Sequence, residues 1–315
     1  MIRIVRLPRQ LRLKTMKKYR LYQVDSFTTD QFRGNPAGVV PDADGLTAAQ
    51  MQAIAREMNN SETAFILPPT ATDHEVWIRF FTPTTEVPSC GHATIAAHYV
   101  RALEMGLPSC KIIQKIGAGI LPVEIIREEK DYRIVMTQGT IEFGEPIAGQ
   151  QRDEIIAALG LSKGDLDARC PVQIVSTGHS KVLVGIQERT VLNQLQPDLA
   201  RLAEISRRIK CNGYFVFVLV NDGSEVLSYG RMFAPAIGIS EDPVTGNANG
   251  PLGAYLVQHR LVPTDGRRLA FKGQQGEAIG RLGTVEVTVE IAEGRPNIVR
   301  VGGCAVIVFK SELVL

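Results

Sequence analysis

A repeat at half the chain length constrains this sequence more than any single motif. Arg79-Phe80-Phe81-Thr82-Pro83 lies on Arg231-Met232-Phe233-Ala234-Pro235, an offset of 152 in a chain of 315 residues. A few residues on, Gly91-His92-Ala93 and the run through Tyr99 lie on Gly246-Asn247-Ala248 and the run through Tyr255, now at an offset near 155. Each half thus predicts a strand ending at a proline, a glycine-containing turn and a helix opening on small residues. Matches kept in order at this spacing indicate duplication. Two duplicated domains related by an approximate two-fold axis would present equivalent elements to each other, and a cleft between domains is a preferred ligand site. Both helix N-termini are therefore expected to point into one cleft.

Short apolar runs rich in β-branched and aromatic residues dominate the rest. Leu21 to Ser26, Ala64 to Leu67, Val76 to Phe81, Leu121 to Arg127, Tyr132 to Thr137, Lys181 to Ile186, Tyr214 to Val220, Thr284 to Ile291 and Ala305 to Phe309 read as strands. Helices are fewer. Thr47 to Met58 is the clearest, with the Thr47 and Gln50 spacing of a capping box and Met51, Ile54, Ala55 and Met58 on one face. Ala93 to Leu103, Arg152 to Leu159, Asp198 to Lys210 and Ala248 to His259 follow. The class is α+β.

Small residues at a helix start leave backbone N–H groups open, and the helix dipole adds roughly half a positive charge there. The turns Ser89-Cys90-Gly91-His92-Ala93-Thr94 and Thr245-Gly246-Asn247-Ala248-Asn249-Gly250 supply two such starts. A carboxylate, or the enolate formed beside one, is the natural guest. Glu62, in Asn59-Asn60-Ser61-Glu62-Thr63-Ala64-Phe65, stands between the capped helix and an apolar strand. A part-buried carboxyl group at such a boundary suits a proton shuttle, although the local context also fits a solvent-facing side chain. Asp242 precedes the second site helix and can cap it, orient a neighbour or act as a second acid. His92 opens the first site helix, where the dipole disfavours a charged ring. Cys90 lies at the same helix start, a position expected to lower a thiol pKa.

Several function classes drop out. His92 and His98 are six apart and fall on different helix faces, and no metal-type His or Cys spacing occurs, so no metal is expected. Walker A, Gly-x-Gly-x-x-Gly and Gly-x-Ser-x-Gly motifs are missing. Thr177-Gly178-His179-Ser180-Lys181 precedes a strand and is a candidate substrate contact, with Lys181 a remote Schiff-base candidate. Eight of the 35 basic residues fall in the first twenty positions; the remaining 27 face 33 acidic ones, so the body of the chain has no electrostatic attraction to nucleic acid. Residues 1–18 read as a disordered basic extension, with Met16 a candidate start. No apolar run matches a signal peptide or the roughly 20 residues of a membrane span. Five scattered cysteines fit a reduced, cytoplasmic setting.

Val24-Asp25-Ser26-Phe27, Arg33-Gly34-Asn35-Pro36-Ala37-Gly38, Asn60-Ser61-Glu62-Thr63-Ala64-Phe65, Cys90-Gly91-His92-Ala93-Thr94 and Glu241-Asp242-Pro243-Val244-Thr245-Gly246-Asn247-Ala248 together resemble the PhzF-like family of phenazine biosynthesis, and most of all its enterobacterial YddE branch. The resemblance runs from about Tyr19 to Leu315. It implies the diaminopimelate epimerase-like fold: two pseudo-symmetric domains, each a curled sheet or open barrel around a central helix, with the active site between them. Domains over residues 19–137 and 138–302 are expected, with a last strand over about 303–315 returning to the first. The resemblance also implies a homodimer without a cofactor, Glu62 as proton shuttle and His92 and Asp242 as its assistants. Asn35, Ser61, Cys90, Gly91, Ala93, Thr94, Gly246, Asn247 and Ala248 are the expected substrate contacts, for a small carboxylate-bearing metabolite. Two positions depart from the phenazine enzyme, which has a non-thiol residue where Cys90 stands and a serine where Asn247 stands. The first departure resembles amino-acid epimerases of the wider fold. Besides the shuttle isomerase, a Cys90-assisted epimerase and a non-catalytic binding or scaffolding protein remain as readings.

Overall fold

The computed structural model describes residues 17–129, 131–220 and 225–315. Residues 1–16 of the basic extension lie outside the described residues, but Lys18 does not belong to a disordered segment, because it opens the strand Lys18–Ser26. That strand pairs along its length with the last strand, Ala305–Val314, which gives its backbone groups partners.

The duplication is visible in the pairing. In the first half, Lys18–Ser26, Asn35–Val40, Thr63–Leu67, Val76–Phe81, Cys110–Ile116, Gly119–Arg127 and Tyr132–Thr137 neighbour one another in that order. Their relations run antiparallel, parallel, antiparallel, parallel, antiparallel, antiparallel. In the second half the succession Gln173–Ser176, Lys181–Ile186, Tyr214–Leu219, Val226–Ala234, Arg268–Gln275, Gly283–Ala292 and Arg295–Gly303 repeats that series term for term. The halves meet where Tyr132–Thr137 pairs with Arg295–Gly303. The first strand of each half also takes one antiparallel neighbour outside the series. For Gln173–Ser176 it is Glu142–Pro146, just upstream; for Lys18–Ser26 it is the C-terminal strand.

Among the described residues the α-helices are α1 (Ala48–Met58), α2 (Gly91–Met105), α3 (Gly149–Ala158), α4 (Arg189–Gln194), α5 (Leu199–Ile209) and α6 (Gly246–Gln258). The expected capping box closes α1, with Thr47 and Gln50 satisfying each other's backbone N–H groups. Helices α2 and α6 start two residues earlier than the sequence pattern indicates, and both are buried almost all round. A helix without a solvent face has to be wrapped, and each half's strands curl about one of them. Gly253 makes the wrapping tight on α6, since a Cβ there would approach Val287 and Val289 to 2.8 Å.

An ion pair confirms the register of the repeat. Arg79 forks onto Glu86 at 2.7 Å through both nitrogens, and its equivalent Arg231 forks onto Glu241 at 2.9 and 2.8 Å. Beyond these pairs, Val87-Pro88-Ser89-Cys90-Gly91-His92 overlies Asp242-Pro243-Val244-Thr245-Gly246-Asn247. The halves thus share a frame and differ in chemistry: Asp242 answers Val87, Thr245 answers Cys90 and Asn247 answers His92. No helix among the described residues is long and apolar enough to cross a membrane.

Candidate active site

Helix α1 ends on Asn59, whose left-handed backbone (φ 52°) turns the chain sharply. Asn60 then locks amide to amide with Gln23, at 2.9 Å in both directions. This delivers Ser61 and Glu62 to the head of the strand Thr63–Leu67. The Glu62 carboxylate is 14% exposed, and its Oε2 lies 3.4 Å from His92 Nε2. Ser61 Oγ is 3.2 Å from the same nitrogen, and Cys90 Sγ is 3.4 Å from Nδ1. Both ring nitrogens of His92 therefore have partners. Ser26 Oγ donates to the His92 carbonyl at 2.8 Å and pins the helix start to the first strand.

Asp242 ends the short strand Ile239–Asp242. One carboxylate oxygen accepts from Asn35 Nδ2 at 2.7 Å and the other from the Thr245 hydroxyl. Asn35 belongs to the first half and Asp242 to the second, so this contact crosses between them. Arg281 secures it, donating to Asp25 at 2.7 Å and to the Gly34 carbonyl at 2.9 Å, at the two ends of the loop that leads into Asn35. Burial pushes the Asp242 carboxyl above the usual carboxylate range, against the pull of His92 and of its two hydrogen bonds.

Neither Cys90 nor Thr245 caps its helix, and neither first turn holds an acidic residue. The Thr245 hydroxyl is spent on Asp242. Two sets of helix-start N–H groups, with the positive ends of two dipoles, are thus left uncompensated. Both open on one cavity of about 300 Å³ that Cys90, Gly91, Thr94 and Asn247 help to line. Glu62, His92 and Asp242 do not line it directly. Glu62 and His92 stand behind Cys90, with one donor atom of each of the three within 4.8 Å of the others. A sulfur, a nitrogen and an oxygen at that spacing also match the donors of a zinc-type ion. Ala93 and Ala248 are fully buried and Gly246 nearly so, which leaves their backbone groups and their lack of bulk as what they can offer a ligand.

Two expectations are corrected. The Cys90 thiol is not activated by its helix start: burial, with the negative charge of Glu62 second, pushes it well above its ordinary value, and the Ala93 amide opposes more weakly. Lys181 is buried away from the cavity, with Nζ on the Ser180 carbonyl at 3.2 Å. One cavity residue, Gln138, escapes a reading of local pattern, whereas Thr177, Gly178 and His179 come from a segment expected to contact substrate. Gln138 donates to Gly246 O and Asn247 Oδ1, both at 3.1 Å, and accepts from Thr177 at 2.7 Å. His179 reaches Ser89 Oγ at 3.0 Å across the cavity mouth, from one half to the other. The repeat points to the cleft, but nothing near Gln138 in the sequence marks it as a tie to α6.

The family described as phenazine biosynthesis-like protein matches residues 24–311. An uncharacterized isomerase of Clostridium acetobutylicum is 57% identical over 300 residues, covering 95% of this chain and 99% of its own. The uncharacterized isomerase YddE of Escherichia coli is 52% identical over 295 residues, 94% and 98% of the two chains. A trans-2,3-dihydro-3-hydroxyanthranilate isomerase of Pseudomonas aeruginosa is 32% identical over 287 residues, 90% and 95% of the two chains. Among solved structures, a Bacillus anthracis PhzF-family protein superposes with a TM-score of 0.85 at 31% identity, over 95% of this chain and 100% of its own. A probable proline racemase from Agrobacterium radiobacter shares the fold at a TM-score of 0.62 and 14% identity, over 94% and 93% of the chains.

Proposed function

We propose a proton-transfer reaction for this chain, which belongs to the phenazine biosynthesis-like protein family and is an isomerase. The substrate is a small carboxylic acid whose carboxylate docks on the free amides at the starts of α2 and α6. The convergence of two uncapped, acid-free helix starts on one cavity carries this reading. Glu62, 14% exposed and within 4.8 Å of the Cys90 sulfur on the cavity wall, meets the substrate beside that thiol and takes an activated C–H proton, and the electron pair left on carbon delocalises toward the carboxylate as an enolate-like charge facing the amides. Glu62 then returns the proton to a different carbon, so the double bond shifts and no electrons are gained or lost. His92, 3.4 Å from the Glu62 carboxylate, orients it. Asp242, held by Asn35 and Thr245, fixes the second helix start against the first half. A positioned acid-base group supplies about 100- to 10,000-fold, and the preorganised amides supply the larger share. All the groups in this scheme are protein groups.

The test is hydrogen exchange in D2O with a panel of small carboxylic and amino acids, read by NMR. The wild-type chain is expected to label at least one acid, and Glu62→Gln to abolish labelling while the acid still binds. Undiminished labelling by Glu62→Gln rejects Glu62 as the shuttle.

A further inference from the structure

Gln114, on the strand Cys110–Ile116, is only 3% exposed, yet it lines the cavity between the halves. Behind it lies His98 of α2, fully buried, with Nε2 3.0 Å from Gln114 Oε1. The other ring nitrogen, Nδ1, is buried and has no partner among the described residues. Burial holds the His98 pKa down to about 4, so at neutral pH the ring is neutral and has a single N–H. On Nδ1 that N–H would be a buried donor with nothing to accept it, a costlier defect than an unpaired lone pair. It therefore sits on Nε2 and donates to Gln114 Oε1. The donor side of the Gln114 amide is then turned away from the helix, and its Nε2 donates to no acceptor among the described residues. A nearly buried amide with free N–H groups on a cavity wall calls for an acceptor from the cavity's contents. Ile116, Leu121, Pro122, Met136 and Val301 form the apolar part of the wall, and the polar lining residues Thr94, Gln138, Thr177 and Asn247 make their hydrogen bonds to other groups than Gln114.

Position along the helix separates this amide from the proposed carboxylate seat. His98 lies seven residues beyond Gly91, two turns or about 10 Å along the axis. We propose that Gln114 is a specificity-determining residue that donates a hydrogen bond to a hydroxyl or carbonyl oxygen at the end of the substrate remote from its carboxylate. An apolar body spans the space between. His98 is a positioning residue that fixes which face of the amide the substrate meets. This deepens the proposed function and rests on its carboxylate seat.

Rigid carboxylates of graded chemistry test it on the full chain by titration calorimetry: benzoate, 3- and 4-hydroxybenzoate, and the 3- and 4-methyl isosteres. At least one hydroxybenzoate is expected to bind about tenfold tighter than its methyl isostere, since the methyl group leaves the amide unpaired. In Gln114→Leu that preference disappears, while benzoate itself binds within about threefold of wild type. His98→Phe, which frees the amide to turn over, reduces the preference without removing the seat. Binding of all the acids with no hydroxyl preference in wild type, or a preference that survives in Gln114→Leu, overturns this inference and leaves the carboxylate seat standing. Failure of every benzoate to bind overturns both. The wild-type comparison needs no variant, so a Gln114→Leu chain that folded poorly would still leave a decisive measurement.

Discussion

Two opposing influences meet at Cys90. The start of α2 favours a thiolate, whereas burial and the Glu62 carboxylate favour the thiol, and the second pair wins. Alkylation of Cys90 by iodoacetamide is therefore expected to be slow between pH 7 and 8 and to accelerate as pH rises; mass spectrometry showing rapid labelling at pH 7 would contradict this. A protonated thiol can still donate, and Cys90 is part of the cavity wall, so an epimerase reading gives it the role of acid on one face of the substrate. Cys90→Ser decides: a loss of exchange smaller than about tenfold fits the Glu62 shuttle, and a loss beyond a thousandfold fits the thiol. At Asp242 the raised pKa means that the folded chain holds a proton which the unfolded chain has released. Stability thus falls as pH climbs from the ordinary aspartate value through the folded one. Asp242→Asn lacks that slope. The melting temperature of the variant relative to wild type is expected to rise between pH 4 and pH 7, and a flat or falling difference would be inconsistent with a buried, reluctantly ionised carboxylate.

At the scale of elements, α1 and α6 govern how the site residues are presented. Thr47→Ala removes one side of the α1 capping box and is expected to cost about 1 kcal/mol in denaturant unfolding. Gly250 faces Gln138 so closely that an added Cβ would lie 1.8 Å from its Oε1. Because the obstacle is a side-chain tip, Gly250→Ala is expected to fold with Gln138 swung off α6. Its melting temperature should then stay within a few degrees of wild type while exchange activity falls tenfold or more; unchanged activity would show that the Gln138 ties do not matter. Helices α1, α2, α3, α5 and α6 and the most apolar strands were legible as hydrophobic runs bounded by cap and turn residues, and the short α4 was not. The strand Asn35–Val40 was not, since Pro36 and Gly38 read as turn residues. Nor was Arg268–Gln275, whose buried side includes Gly273, packed on Asn249, and Gln275, bonded to Thr245. Glycine and glutamine at the last two inward positions cut the hydrophobic alternation short after Leu269 and Phe271.

Across the whole molecule, the C-terminal strand does the work in the first half that Glu142–Pro146 does in the second. Its pairing partner lies almost 300 positions away in sequence, from Lys18 with Val314 to Ser26 with Ala305. Deleting residues 305–315 strips the outer neighbour from Lys18–Ser26 and exposes its edge. The shortened chain is expected to melt at least 10 °C lower or to aggregate, and a melting curve within a few degrees of the full chain would show that the strand is dispensable. Lys17 and Leu315 exchange backbone hydrogen bonds at 2.9 and 3.0 Å, so a permutant that joins these ends and opens an exposed loop elsewhere should keep the fold.

What the sequence determined by itself is the part written in local period and in repetition: two matching halves, two buried helices with small residues at their starts, and the motifs that carry Glu62, His92 and Asp242. What only the tertiary structure decided is which groups face one another and how wet they are. The elevated Cys90 thiol, the Asn35 to Asp242 contact across the halves and the Gln114 amide fixed by His98 all depend on partners distant along the chain. Desolvation and hydrogen-bond partnership are set by three-dimensional neighbours, and local sequence pattern does not encode them.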